Sequence, residues 1–487
     1  MKNWLMMIVM TAILMTACHE VVKDAESVDR FPPIFPDYTE VTIPVNIAPM
    51  NFGSSGETER MDVVVEGSNG GEMHVQGNNA AFDADEWHQL VSSNKGGRLT
   101  FTVCIKAKGK WSRYRDFCMY VSEYDLNDYG LTYRKIAPGY EVYSKMGLYE
   151  RELGSFHERA IIENTQVTGM CVNCHTSNRT CPDQFLFHVR GEHGATLMQR
   201  EGKMELLKTV NDSLKGSLVY PYWHPSGRYC AFSTNQTRQG FHVVKDERIE
   251  VFDLSSDVFV YDVVKHELLL DTLLMKVAYS ENLPVFSPDG KTLYYTTAAR
   301  QHYPTDFRKQ KYSLCRIGFD SENGKFGNQV DTLFNADKEN RSLTWPRPSY
   351  DGKYIMVTLA DYGYFSIWHK ESDLWLIDVE TNEMYPLEKA NSDDADSYHN
   401  WSADSHWFVF TSRRENGLYS LLYLSCVDGE GKATKPFLLP QENPVEYYQN
   451  SFYSFNTPDF TSRPIDLNSR TAALGIESGK RIDTIVR

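Results

Sequence analysis

Long apolar runs are missing from almost the whole chain. After the first fifteen residues no segment approaches the roughly 18 consecutive apolar residues that a spanning helix needs. Clusters of lysine and arginine are missing too. With 50 basic against 65 acidic residues the net charge is −15, which excludes nucleic acid as a partner, because neutralising phosphates takes concentrated positive charge. No nucleophile-elbow motif is present, so hydrolase chemistry is not expected. Cysteine is sparse, with 9 in 487 residues. Most stand alone in strand-like runs, as small buried residues do. Two do not.

Cys171 and Cys174 are separated by two residues and followed at once by His175. Cysteine, two residues, cysteine, histidine is the attachment signature of haem c. Each thiol adds across one vinyl group of the porphyrin to form a thioether, and the histidine is placed to ligate the iron. The chain is therefore expected to carry one covalent haem c at Cys171, Cys174 and His175. A second axial ligand is sought nearby, and His188, thirteen residues on, leads, followed by His193 and Met198. The other reading of the motif is a zinc or disulfide site, with Cys171, Cys174, Cys181 and a histidine such as His188 as zinc ligands.

The amino terminus supports haem, which is attached after export. Lys2 precedes a run from Trp4 to Met15 that is apolar apart from Thr11, and then come Thr16, Ala17 and Cys18. Small residues before a cysteine suit a bacterial lipoprotein signal. Residues 1–17 are expected to be removed and Cys18 lipidated, which tethers the chain to a membrane in the cell envelope. Residues 18–36, with Pro32, Pro33 and Pro36, read as the tether.

Short strand-like runs then dominate, and the fold class is expected to be mostly β. Residues 37–135 read as a β-sandwich-like domain, in which a hairpin around Lys108-Gly109-Lys110 could bring Cys104 and Cys118 together. Residues 136–182 read as a linker and the haem attachment segment, with the cysteines on a short helix. From 183 to 487 a unit repeats: Trp223-His224-Pro225-Ser226-Gly227, Phe286-Ser287-Pro288-Asp289-Gly290, Pro348-Ser349-Tyr350-Asp351-Gly352 and Trp401-Ser402-Ala403-Asp404-Ser405 each lead into a strand. Positions 227, 290, 352 and 405 are 63, 62 and 53 residues apart, as in β-propeller blades. Five blades are expected, with six as the alternative, and Ser454 to Pro464 is expected to return and complete the blade begun at Phe187 to Leu207.

These turns resemble those of TolB-like propellers. With Cys18, Ile47-Ala48-Pro49, Asn51-Phe52, Cys171 to His175 and Phe187-His188-Val189-Arg190-Gly191, the whole chain resembles exported lipoproteins of the Bacteroidetes type that join a haem c motif to such a propeller. These are often labelled cytochrome c biogenesis proteins, yet a chain bearing the attachment site receives haem rather than installing it. The resemblance implies a membrane-tethered monohaem cytochrome. It would pass electrons to a protein partner docked on the propeller. Because Thr176 to Arg179 are all polar and cannot bury a haem themselves, the haem is expected in the cleft between the first domain and the propeller, with His188 on its distal side. The alternative is a non-redox binding or scaffold propeller.

Overall fold

The computed structural model describes residues 21–137, 145–208, 217–244 and 247–486. The expected signal peptide and Cys18 lie outside the described residues. Among the described residues no helix is long and apolar enough to cross a membrane.

The chain first builds a seven-stranded sheet around Arg60–Gly67 and Arg98–Ala107. Met61, Val63 and Val65 on one strand and Leu99, Phe101, Val103 and Ile105 on the other are all buried, the period of two that sets one face of a strand against a core. The layer covering that face is a helix, not the second sheet of a sandwich. This is α1, Ala84–Ser93. Asp83 caps it by accepting from the backbone N–H groups of Asp85 and Glu86, and Trp87, Leu90 and Val91 turn one stripe inwards. The expected tether is partly built into this domain, since Glu26–Val28 pairs with Lys110–Tyr114. The Cys104–Cys118 pairing does not form. Cys104 lies opposite Arg113 and Cys118 opposite Thr100, so the two occupy different rungs of the ladder, and both are free thiols.

Among the described residues six antiparallel sheets of four strands follow, one of them extended by a fifth strand from the carboxyl terminus. The arrangement is of propeller type. Five of these sheets are meanders running outwards from one inner strand, and in the sixth the inner strand comes last in the chain. In chain order the inner strands are β1 (Cys171–Asn178), β2 (Ser217–Trp223), β3 (Tyr279–Phe286), β4 (Ser342–Pro348), β5 (Asp396–Trp401) and β6 (Ser454–Thr461). Each touches the next, and β6 touches β1. The Ser-x-Asp turns leaving the inner strands are held locally: the hydroxyls of Ser287, Ser349 and Ser402 donate to Asp289, Asp351 and Asp404 at 2.5, 2.6 and 2.5 Å.

Three expectations are corrected here. The sheets number six, where five blades were the first reading. Residues Gly130–Ile136, Met146–Glu152 and Glu158–Glu163, expected in the sandwich and the linker, are the outer three strands of the β6 sheet. The returning strand therefore pairs with Gly130–Ile136 and not with the strands around Phe187 to Leu207. These form the β1 sheet and already have β1 as their inner strand. The first domain shares one core with the sheets of β4 to β6, through residues such as Met356, Trp401, Trp407, Phe408, Leu424 and Phe460.

Candidate cofactor site on the inner strands

The Cys-x-x-Cys-His run is a strand, not a helix. It forms most of β1, and it repeats a pattern common to all six inner strands. In each, the ladder slips by a β-bulge, and one non-glycine residue at the slip takes a left-handed φ of 49° to 53°: Cys174, Tyr220, Leu283, Trp345, Tyr398 and Thr457. The residue after it is His175, Pro221, Pro284, Pro346, His399 or Pro458. A bulged residue need not donate to the ladder, which is why proline is accepted there. Cys174 and His175 thus occupy a position set by the fold, one that proline fills in four of the other five strands.

His175 is buried, with its ring 6.2 Å from that of Phe185. Burial pushes its pKa down to about 4, which leaves the imidazole neutral at pH 7. Among the described residues neither ring nitrogen has a hydrogen-bond partner of good geometry; the nearby Thr132 backbone opposes the burial, and the Arg134 charge adds to it. Cys171 and Cys174 are free thiols. The Cys171 Sγ accepts from Arg134 Nη2 at 3.4 Å, and burial raises the Cys174 pKa.

His188 is placed differently. It lies opposite Asn173, with Nδ1 3.2 Å from the Thr196 hydroxyl, and burial pushes its pKa to about 3, with Arg190 adding to the shift. Phe185, Phe187 and Val189 pack into one core, whereas Leu186 packs into another on the far side of the sheet. Alternation puts His188 on the Leu186 face, while His175 sits beside Phe185. The two imidazoles are on opposite faces of one sheet and do not face each other across a common space. The expected cleft between the first domain and the propeller is also not where the motif lies, because the core around Val172 contains no residue of the first domain.

Beside the motif's first cysteine lies a cavity of about 890 Å³, lined by neighbours of Cys171 and by none of Cys171, Cys174 and His175 themselves, a size suited to a cofactor or small ligand. Arg134 and Tyr220 line it, as does Arg190, which lies opposite Cys171 in the ladder. Its wall is raised by the hairpin of Tyr229–Val244 and Glu247–Asp262, each of 16 residues, whose outer half stands above the inner strands. Motif searching had no means of finding this wall; the only signal was an unusually long alternating run. Arg413 closes the other side, held by its Nε and Nη1 donating to the carbonyls of Ile367 and Leu418, both at 2.6 Å, and stacked 3.6 Å over Trp368.

The residues fit haem c in kind: two free thiols, a neutral partnerless imidazole, and an adjoining cavity with cationic and aromatic walls. The zinc reading finds less. Cys181 pairs with Asn178 at the far end of the hairpin from Cys171, about 20 Å away at the rise of a strand. Among the described residues no group of three or more histidine, cysteine or acidic side chains is gathered for a metal.

No protein-family model matches the chain, and none of the curated proteins does. Among solved structures it is similar to TolB from Acinetobacter baumannii, with 12% identity over 78% of this chain and 86% of that one and a TM-score of 0.44. It is also similar to an oligogalacturonate lyase from Vibrio parahaemolyticus, with 10% identity over 78% and 94% and a TM-score of 0.35. At that distance the likeness carries nothing about chemistry.

Proposed function

We propose that this protein is a monohaem c-type cytochrome of the cell envelope, tethered by lipid on Cys18. In this reading its six sheets are blades of one closed propeller on which a redox partner docks. One observation carries the haem reading: the free thiols of Cys171 and Cys174 and the neutral imidazole of His175 follow one another on an inner strand, and Cys171 lies against Arg134 and opposite Arg190 of a cationic cavity. Haem held there through both thioethers supplies one-electron transfer. The chain's own part is to keep His175 unprotonated by burial, leaving its lone pair free for iron, and to shield the site from bulk water behind the long hairpin.

The test is the visible spectrum and a haem-stained denaturing gel of protein matured in an exporting bacterial host. A covalent haem band is expected in the membrane fraction, and Cys171→Ser/Cys174→Ser should abolish the stain. Stain that survives the double substitution sinks the assignment. The second reading, a non-redox binding propeller, draws on the fact that His175 occupies a position the fold repeats in every sheet. It predicts no stain even in the wild-type protein.

A further inference from the structure

The protein carries a net charge of −15, yet among the described residues no aspartate, glutamate or lysine lines this cavity, which has three arginines. Two of these lack the partners that arginine normally finds. The Arg190 side chain makes no hydrogen bond or ion pair among the described residues. Among the described residues Arg134 reaches only Met146 Sδ and Cys171 Sγ, at 3.3 and 3.4 Å, and its Nε is buried with no partner there. Sulfur is a weak acceptor, so a guanidinium held this way keeps most of its capacity unused. Arg190 stands exposed, free to meet a ligand, while buried polar atoms of a cation without a partner, such as Arg134 Nε, are costly. They are kept where a ligand supplies the missing anion. Around them stand Tyr220, Tyr364, Phe365, Trp368 and Tyr419, surfaces for a flat, largely apolar body.

We propose that Arg134 and Arg190 are the carboxylate-binding pair of this cavity, and that its ligand is a flat organic anion whose carboxylates they receive bidentately. In its fuller form this rests on the haem reading, since porphyrin propionates are such carboxylates and Cys171 adjoins both arginines. A free organic acid offers the same chemistry, and the experiment separates the two sources.

The full-length Cys171→Ser/Cys174→Ser chain, which cannot form thioethers, is titrated with haemin, with haemin dimethyl ester and with citrate as competitor, following tryptophan fluorescence. Haemin should bind at least tenfold more tightly than its ester and be displaced by citrate. Arg190→Gln should remove that preference, and Arg190→Lys should keep part of it. Because the Arg190 side chain supports nothing else, the folded content of these variants should match the parent. Equal binding of acid and ester, unaltered discrimination in Arg190→Gln, or no binding of either anion overturns the proposal. If the anion preference holds while the wild-type protein carries no covalent haem, the cavity serves a free organic anion and only the haem reading falls. If covalent haem is present, propionates are the source.

Discussion

Three histidines are stripped of water without being given a charge to pair with. Burial pushes His175 to about 4 and both His188 and His399 to about 3, from an ordinary value of 6.5. Below pH 6.5 the unfolded chain takes up protons that the folded chain refuses. The stability tied to each histidine is therefore complete above 6.5 and is lost as pH falls towards its folded value, at up to about 1.4 kcal/mol per pH unit. Buried carboxyls oppose this: burial raises Asp459 to about 7 and Asp253 to about 6, so they favour the fold on acidification, and the whole-protein profile mixes both signs. His399→Gln isolates one term. The variant should be less stable at pH 7.5 by urea denaturation, and the gap to the parent should narrow steadily between pH 6.5 and 4. A gap independent of pH would mean that His399 is not held neutral.

At the scale of the strand, the turns were legible in the sequence and the inner strands were not. Ser-Pro-Asp-Gly announces its turn because each side chain acts locally, the hydroxyl on the carboxylate and glycine at a left-handed φ. The inner strands carry proline or histidine next to a left-handed residue, features that argue against a strand unless the bulge is known. For Cys171 to His175 the haem c signature itself points to a short helix, and nothing in the sequence signals the bulged strand instead. α1 was missed although Asp83 and Glu86 flank its first turn as capping residues do, because the alternating runs on either side outweighed ten residues. The chemistry of the motif was readable; its partners across space were not, since His188 is near in sequence yet on the wrong face. The shared pattern gives a test that separates fold from ligation. His175→Pro places in β1 the residue that β2, β3, β4 and β6 already carry there, so the variant should melt within a few degrees of the parent. It should also lose the spectral signature of a histidine-ligated haem. A collapse of the fold in His175→Pro, with Pro221 and its counterparts tolerated, would show that β1 does not follow the common bulge.

At the scale of the whole molecule, one strand holds both ends of the chain together. β6 leaves the sheet of β5 and pairs with Gly130–Ile136 more than 300 residues earlier. It buries Phe455 and Phe460 and sets Asp459 between the Asn400 side chain and the Ser177 backbone N–H, at 2.8 and 3.3 Å. Those two donors belong to β5 and β1, the neighbours on either side, so a single carboxylate ties three inner strands. Beyond it, α2 (Ser469–Ser478) lays Ala472, Ala473 and Ile476 on the core behind β1, a covering layer and not a closure. Two truncations should therefore differ in kind. Stopping at residue 464 keeps β6 and removes α2. The product should melt at a lower temperature in one cooperative transition, with the β1 sheet the most exposed to protease. Stopping at residue 453 removes β6, which leaves the Gly130–Ile136 edge bare and the first domain without Phe455 and Phe460. Removing an inner strand whose partner sheets lie on both sides exposes unpaired edges there, so that product should show no cooperative melt and should aggregate. If the 453 product melts as sharply as the 464 product, the six sheets are stable one by one, and the contact of β6 with β1 is a neighbouring contact that closes nothing.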